Sequence, residues 1–351
     1  RRCGKSSLMK LMILHLRDTG VADDQIIEMN FESMDFRRMT VEELYRYVKE
    51  RLPEKKRAYL FFDEIQRIDQ WQDAVNSFRV DFDCDIYVTG SNSKLMSSEI
   101  STYLTGRYVS IPVYTLSCKE YLDFKADSTL SRRELLEEYI RFGGFPVIAL
   151  SEYDEQSAYQ IVNGIYHTVV SRDIVKRHRI NKQDLFDRVV KYVIENIGKT
   201  FSANSSANVL KNEHRKISVE SIYNYLRWLE QAFIIYPGAR YDLQGKSILK
   251  TQEKYYLADI SLKYALMGYN RKMLDGVMEN IVFLELKRRG YDVFIGKNDT
   301  KEIDFVAIRR DEKIYVQVCV QLPEKSDREV GNLMEIKDHY PKYVVTLNDL
   351  D

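Results

Sequence analysis

The chain opens with the sequence RRCGKSSL, in which Gly4, Lys5 and Ser6 match the last three positions of the phosphate-binding pattern GxxxxGK[ST]. The first glycine of that pattern, and the strand that launches its loop, would precede residue 1. Ser7 to Leu16 is rich in apolar residues, as expected of the helix after such a loop. Backbone N–H groups at the helix start would face phosphates, Lys5 would reach the β- and γ-phosphates, and Ser6 would bind Mg²⁺. The alternative is an ordinary helix start that happens to contain Gly-Lys-Ser.

A second motif, YLFFDE from Tyr59 to Glu64, has four apolar residues followed by two acids. This is the form of a buried parallel strand that ends in a Walker B site. Asp63 would hold Mg²⁺ through its water shell, and Glu64 would polarise the attacking water as a general base. Solvated acids after a buried strand are the alternative. A strand at Gln25 to Asn30 and a helix at Thr40 to Arg51 separate the two motifs, so the spacing favours an α/β P-loop NTPase.

A third predicted strand, Asp85 to Thr89, runs into Ser91 and Asn92. Small polar residues at this place would lie near the γ-phosphate and the attacking water, although turn chemistry also explains them. Arg107 follows the predicted helix end in STYLTGRY and precedes a predicted strand at Val109 to Val113. Arg107 would reach a neighbouring subunit's nucleotide as an arginine finger, or else it is a surface arginine.

Composition excludes several classes. The 351 residues suggest two or three domains, and the formal charge of zero means that any DNA contact must be a local patch. No apolar run approaches the length of a membrane span, and no signal peptide is visible. The four cysteines are scattered without a CxxC pair, which predicts a cytoplasmic protein with reduced thiols and neither a disulfide nor a zinc site.

These motifs, together with GGFP at 143–146, resemble the AAA+ ATPases of the archaeal-type, signal-transduction branch. More closely, the whole chain resembles a widespread prokaryotic family of predicted ATPases with a C-terminal domain of unknown function. The resemblance implies ATP and Mg²⁺ as ligands, with phosphate contacts at Gly4, Lys5, Ser6 and Ser7. It implies an AAA+-like core at 1–125, a helical lid and linker helix at 126–180, a winged helix at 181–250 and a restriction-endonuclease-like domain at 251–351.

The residues after the core agree with a lid. Ser131 to Arg141 reads as a capped helix that Gly143 and Gly144 end, and a long helix is predicted from Tyr153 to about Ile174. Such a piece would close over the nucleotide and convert hydrolysis into domain motion. A plain helical linker would use the same residues.

Three shorter helices follow, from Asp184 to Gly198, near Ser205 to Lys211, and from Ser218 onward. With a wing hairpin suggested by Phe233 to Tyr236 and the Pro-Gly after it, they match a winged helix-turn-helix. Its basic residues would meet phosphates, but three acids interrupt the patch, so the partner is DNA or protein. The basic residues are Lys211, His214, Arg215, Lys216 and Arg227, and the acids are Glu213, Glu220 and Glu230.

The last part of the chain, Met278 to Val345, resembles nucleases of the PD-(D/E)xK type. These nucleases bind Mg²⁺ through a Glu on a helix, an Asp on a strand and a (D/E)xK pair. Glu279 and Asp304 stand at the first two positions. Gln317 replaces the second strand acid and Cys319 replaces the lysine, so we expect a nuclease-like fold without nuclease activity.

The sequence therefore predicts a Mg²⁺-dependent AAA+-type ATPase that couples its nucleotide state to C-terminal DNA- or protein-binding modules. One alternative is an ATP-gated DNA nuclease. Another is a slow nucleotide-dependent switch that docks a protein partner. A homo-oligomer is compatible with the predicted role of Arg107.

Overall fold

The computed structural model describes residues 1–54, 56–91, 104, 106–180, 182–212, 217–245, 247–270, 274–322 and 328–347. They form two compact units, residues 1–113 and residues 114–351. Each unit has its own β-sheet, with three strands in the first and six in the second. Among the described residues, no helix is both long enough and apolar enough to span a bilayer.

The sheet of the first unit is parallel. Its strands are β1 (Ile26–Asn30), β2 (Ala58–Asp63) and β3 (Cys84–Val88), in the order β1-β2-β3. In the central strand, Leu60, Phe61 and Phe62 are fully buried. Because successive side chains point to opposite faces, this run shows that both faces of β2 are covered. The predicted buried parallel strand is confirmed.

Helices cover both faces of this sheet. They are α1 (Lys5–Asp18), α2 (Val41–Lys49) and α3 (Trp71–Asp81). Met9 and Ile13 of α1 pack with Phe61 on one face, while α2 and α3 pack with the neighbouring β2 side chains on the other. Thr40 caps α2 as predicted, in a reciprocal capping box with Glu43. The core is thus an α/β sandwich around β2.

The predicted strand at Val109 to Val113 is wrong. These residues have no regular secondary structure, and Val109 and Ile111 are 87% and 73% exposed. A strand forms only by pairing its backbone with a neighbour. In the described residues the sheet ends at β3, so this apolar segment pairs with no strand.

The second unit begins with helices. They are α4 (Cys118–Phe124), α5 (Arg132–Phe142), α6 (Pro146–Ala149), α7 (Glu155–Val169), α8 (Gln183–Glu195), α9 (Ala203–Asn212) and α10 (Val219–Gln231). Ser131 caps α5, and Gly143 ends it at a φ of 70°, both as predicted. After α7 the helix continues through a π-helical turn (Val170–Val175) and a final turn (Lys176–His178), so it is longer than expected.

The sheet of the second unit is mixed. Its strands are β4 (Ile235–Asp242), β5 (Ser247–Leu257), β6 (Asp292–Asn298), β7 (Lys301–Arg309), β8 (Glu312–Val318) and β9 (Lys342–Val345). The order is β5-β4-β6-β7-β8-β9, and all neighbours are antiparallel except β4 with β6 and β8 with β9. The remaining helices are α11 (Ser261–Met267), α12 (Leu274–Arg288) and α13 (Arg328–Met334).

This sheet crosses an expected domain limit. The limit between residues 250 and 251 falls inside β5, because the hairpin β4–β5 shares one sheet with the later strands. The first unit also ends at Val113, before the expected limit at residue 125. Pro237 and Gly238 lie within β4, paired with β5, and not at the hairpin turn. A Cβ on Gly238 would stand 3.0 Å from the Tyr256 ring. The finer division of the second unit stays a prediction.

The GGFP turn joins the beginning of the second unit to its later elements. A Cβ on Gly144 would stand 2.2 Å from the carbonyl oxygen of Leu116, and one on Gly143 would stand 1.9 Å from Oδ1 of Asp259. The Leu116 N–H donates to the Gly144 carbonyl (2.7 Å), and the Gly144 N–H donates to Asp259 (2.9 Å). Arg288 of α12 also donates to the Leu116 carbonyl (3.2 Å). Gly144 is required because the Leu116 backbone comes so close, and Gly143 because the Asp259 side chain fills the space and its φ is positive.

Candidate functional site

The N-terminus of α1 lies at the carboxyl edge of the first sheet. A short connection joins the end of α1 to the start of β1, so α1 runs antiparallel to the strands. Gly4 precedes α1 with a φ of 92°, a left-handed conformation that glycine adopts readily. The first turn has no acidic residue, and Ser6 and Ser7 are exposed there. Nζ of Lys5 lies 4.0 Å from Sγ of Cys3. These features suit an anion at the helix start.

Asp63 ends β2 at the same edge and is 7% exposed. Asn30, its register partner on β1, donates from Nδ2 to Oδ2 of Asp63 at 3.0 Å. The Thr89 hydroxyl donates to the other carboxylate oxygen, Oδ1. Both donors are neutral, so these hydrogen bonds orient the carboxylate without compensating its charge. A carboxylate held in this way suits a divalent cation.

Glu64 lies just beyond the strand, in a left-handed conformation with a φ of 55°. Its Oε2 accepts hydrogen bonds from Nε2 of Gln66 (2.6 Å) and from Oγ of Ser91 (2.9 Å). Ser91 is 2% exposed. The Glu64 N–H donates to Oγ1 of Thr89 at 3.2 Å. Thr89 therefore links the backbone of Glu64 to the carboxylate of Asp63.

The donor set fits a nucleotide with Mg²⁺. Mg²⁺ prefers oxygen ligands, and the hydroxyl of Ser6 and the carboxylate of Asp63 supply them. Oε1 of Gln66 is buried and, within the described residues, has no hydrogen-bond partner. It stands on the same amide that contacts Glu64 and is thus a free acceptor beside the predicted base. The edge can hold phosphates, a cation and a positioned water.

Two predicted residues are not brought into this cluster. Arg107 is exposed, and no hydrogen bond or ion pair in the described residues engages its side chain. Its role as an arginine finger stays a prediction. Asn92 lies outside the described residues.

Three residues of the cluster were not predicted. Asn30 and Thr89 contact Asp63, and Gln66 contacts Glu64. A signal existed for the first two, because each directly ends an apolar strand at the edge where Asp63 lies. Gln66 follows Glu64 by two residues and approaches it only because Glu64 and the short 3-10 helix Ile65–Arg67 turn the chain back.

A second acidic cluster lies in the second unit. Glu279 of α12 and Asp304 of β7 are both present there, but a lysine that the sequence did not reveal stands beside them. Nζ of Lys254, from β5, lies 3.1 Å from Oε2 of Glu279 and 2.8 Å from Oε1 of Glu302. Lys254 is 3% exposed. Arg240 binds the other oxygen of Glu302 at 2.7 Å. The buried Lys254 and the half-buried Arg240 therefore compensate these acids.

The remaining nuclease-like positions are engaged by the backbone. Oδ2 of Asp304 accepts from the Val318 N–H (2.8 Å), and Oε1 of Gln317 accepts from the Asp304 N–H (3.3 Å). Burial raises the pKa of Glu279, and the Lys254 ammonium opposes that rise. Among the described residues, no three His, Cys, Asp or Glu side chains gather in a way that could hold a metal. This cluster differs from the first in having its cations built in.

Comparison with known protein families agrees with a P-loop ATPase fold for the first unit. The model of an AAA domain matches residues 1–122, and that of a domain of unknown function (DUF8612) matches residues 133–273. An uncharacterized protein from Haemophilus influenzae is 38% identical over 350 residues, which cover 99% of this chain and 87% of that protein. The uncharacterized protein MJ1544 from Methanocaldococcus jannaschii is 34% identical over 371 residues, covering 99% and 81%.

Two solved structures are also similar. The Walker-type ATPase PABY2304 of Pyrococcus abyssi has a TM-score of 0.44 and 14% identity, over 73% of this chain and 75% of that one. The Orc1 protein of Aeropyrum pernix, solved in complex with DNA, has a TM-score of 0.29 and 13% identity, over 75% and 83%. The family assignment rests on the sequence matches alone. The chain belongs to the same family as the Haemophilus and Methanocaldococcus proteins, and its first 122 residues match an AAA domain.

Proposed function

We propose that the first unit binds ATP with Mg²⁺ and hydrolyses it. The supporting observation is that one sheet edge carries the exposed start of α1 and two carboxylates whose hydrogen-bond donors, among the described residues, are neutral. In this proposal Gly4, Lys5, Ser6 and Ser7 hold the phosphates. Ser6 and Asp63 hold Mg²⁺, which supplies neutralisation of charge on the phosphate oxygens.

Glu64 is the proposed general base. Its carboxylate accepts a proton from the attacking water, and Ser91 and Gln66 keep that carboxylate oriented through their hydrogen bonds. Lys5 compensates the charge that develops on the phosphate oxygens as the bond to the leaving group breaks. Arg107 adds a further positive charge if a second subunit presents it, which is the reason to test for a homo-oligomer.

We further propose that the second unit receives the nucleotide state. The residues that follow Val113 are held on two sides, since Leu116 bonds to the GGFP turn and Thr115 accepts from Arg288 of α12 at 2.8 Å. A movement of the chain at this point would act on the lid turn and on α12 together. This arrangement supports coupling of hydrolysis to the later elements.

A winged helix is the proposed identity of the middle of this unit. Helices α8, α9 and α10 are followed by the hairpin β4–β5, and Thr200 between α8 and α9 forms an isolated bridge to Lys254 of β5. Three helices followed by a hairpin, with a short bridge from the segment between the first two helices to the hairpin, support the assignment. We propose no nuclease activity for the later sheet, because Lys254 and Arg240 already compensate Glu279 and Glu302.

The test is MgATP binding and steady-state hydrolysis by the full-length protein beside Glu64→Gln. We expect Glu64→Gln to bind MgATP with unchanged affinity and to lose about 10²- to 10⁴-fold in kcat, the usual contribution of a general base. Glu28→Gln is the matched control, because Glu28 is an exposed acid on the neighbouring strand β1. It should hydrolyse ATP like the unchanged protein. Equal rates for Glu64→Gln and Glu28→Gln would remove Glu64 from the mechanism.

A slow nucleotide-dependent switch is the second candidate. It is favoured by one observation, that Oε2 of Glu64 accepts hydrogen bonds from two side chains of the protein, which compete with an attacking water. Single-turnover hydrolysis separates the two functions. A chemical step slower than the exchange of bound nucleotide supports the switch, whereas rapid chemistry with slow product release supports the ATPase.

A further inference from the structure

The long helix that follows the lid ends in a concentrated basic run. Lys176, Arg177, His178 and Arg179 are consecutive, and Arg172 lies in the π-helical turn before them. Lys176 and Arg179 are exposed. Because the whole chain has no net charge, this run is a local excess of positive charge. The sequence alone did not indicate which surface it joins.

Stacking places this basic run beside α10. The His178 ring stacks on the Trp228 ring with centroids 4.2 Å apart and an interplanar angle of 13°. Trp228 in turn packs against Tyr225, which is part of the buried core of the unit. Burial lowers the pKa of His178, and neighbouring Arg177 lowers it further, so the ring stacks mainly as neutral imidazole near pH 7. The basic helix end is therefore anchored to one side of α10.

The face of α10 that turns away from the core is open, and it adjoins the side that carries Trp228. Ile222, Leu226 and Leu229 are buried, whereas Tyr223 is 50% exposed and Arg227 is exposed one turn later. Asn224, one turn before Trp228, is half-buried on the side that meets the basic run. Arginine and asparagine are the side chains that read base edges in a major groove, and tyrosine contacts phosphates or bases.

Three cations of the basic helix end have no carboxylate partner in the part of the chain that the structure describes. Within the described ranges, no hydrogen bond or ion pair engages the side chains of Lys176, Arg177 or Arg179. Arg240 and Arg309, by contrast, form short ion pairs elsewhere in the unit. Cations without such partners remain available to phosphates. Each phosphate that they neutralise releases counterions, which is the main source of DNA affinity.

We propose that the open face of α10 and the basic helix end at Lys176 to Arg179 form a binding surface for double-stranded DNA. Helix α10 would enter the major groove, with Asn224 and Arg227 at base edges and Lys176 and Arg179 on the neighbouring phosphates. B-form DNA admits a helix in this groove, whereas the deep and narrow groove of A-form RNA does not. The inference deepens the proposed function by naming its partner, and it rests on that function only for the coupling to ATP.

Two acids limit the surface. Glu220 and Glu230 lie towards the two ends of the exposed face of α10. Burial, together with Glu253, raises the pKa of Glu230, and Arg227 opposes that rise. Both acids would repel phosphates, so the proposed contact with DNA is confined to the centre of the exposed face of α10. Glu230→Gln should consequently tighten DNA binding, and weaker binding by this variant would contradict the placement.

The experiment measures the binding of the full-length protein to a mixed-sequence duplex of about 20 base pairs, roughly two helical turns, by fluorescence anisotropy over a range of salt. The double variant Lys176→Gln with Arg179→Gln should bind on the order of tenfold more weakly at low salt. The slope of log affinity against log salt should fall by about 2, since each lost phosphate contact removes about 0.9. The matched control is Lys119→Gln with Arg132→Gln, two exposed cations elsewhere in the unit, and it should leave both quantities unchanged.

Further outcomes decide the proposal. Lys5→Ala, which is expected to lose ATP, should still bind the duplex, so failure of the proposed ATPase leaves this inference standing. Failure of the folded protein to bind duplex DNA would overturn the inference and leave the face to a protein partner. Equal weakening by the two double variants, or equal binding of double-stranded RNA, would also overturn it. Arg227→Gln should weaken binding with unchanged thermal unfolding.

Discussion

Two clusters of carboxylates in this chain differ in what surrounds them. Asp63 and Glu64 accept hydrogen bonds from hydroxyl and amide groups, all of them neutral. Glu279 and Glu302 instead meet the buried Lys254, and Glu302 also meets Arg240. Neutral donors orient a carboxylate and leave its charge for an incoming cation. Built-in cations compensate that charge, so less of it is left for an incoming cation.

Two buried lysines of the second unit extend this comparison. Burial by itself acts to lower the pKa of Lys254, but Glu279 and Glu302 outweigh it, and the pKa is raised. Lys263 of α11 is equally buried, at 3% exposure, and has no ion pair within the described residues. Burial and the repulsion of Lys199 lower its pKa to about 8, although Glu195 opposes them. The difference shows that a carboxylate partner, and not depth, decides whether a buried lysine keeps its proton.

The largest expected effect is on catalysis. Asp63→Asn should lower hydrolysis about a hundredfold or more, because it removes several kcal/mol of charge stabilisation at the phosphates. The unfolding free energy should change by no more than about 1 kcal/mol, since the new amide oxygen can accept from Asn30 while the new NH2 group donates to the Thr89 hydroxyl. Steady-state ATPase assays and urea unfolding measure the two quantities. Asp85→Asn, on the exposed part of β3, is the control and should keep full hydrolysis. A large loss of stability in Asp63→Asn would end the distinction between the clusters.

The next effect is on stability. Lys254→Met leaves the largely buried Glu279 without its lysine and the half-buried Glu302 with Arg240 alone, which should cost about 3–5 kcal/mol of unfolding free energy. Urea unfolding followed by circular dichroism measures the loss. Lys301→Met breaks an exposed pair with Glu335 and should cost at most about 1 kcal/mol. Adding Glu279→Gln to Lys254→Met should recover part of the loss. Similar costs for the two lysine variants would show that the buried cluster does not depend on charge compensation.

The smallest expected effect is a gain in thermal stability. Lys263→Met should raise the melting temperature at pH 7 by a few degrees, because the folded protein no longer buries a charged amine. The folded-state pKa of about 8 lies below the ordinary value of 10.5, so the unfolded state holds the extra proton between them. The unchanged protein therefore gains stability as pH rises through this window. The advantage of Lys263→Met should be complete below about pH 8 and should shrink toward pH 10.5. A gain that does not vary with pH would reflect packing instead.

Most elements of the chain were predictable because their signals are local. Thr40 and Ser131 cap their helices, and Gly143 ends α5, as short side-chain and backbone rules require. The strand signal at Val109 to Val113 failed because a strand also needs a neighbour, which no local pattern supplies. Pro237 and Gly238 suggested a turn, but packing against Tyr256 placed them inside β4.

By itself the sequence determined the helix start at Gly4 and the buried strand that runs into Asp63 and Glu64, because both depend on neighbours along the chain. Only the tertiary structure brought Thr89 and Ser91 to those acids and Lys254 to Glu279. Contacts between residues that are distant along the chain depend on strand order and register. These are set by how the sheets and helices bury their apolar faces together, and hydrogen bonds and ion pairs form where that packing leaves polar groups in reach.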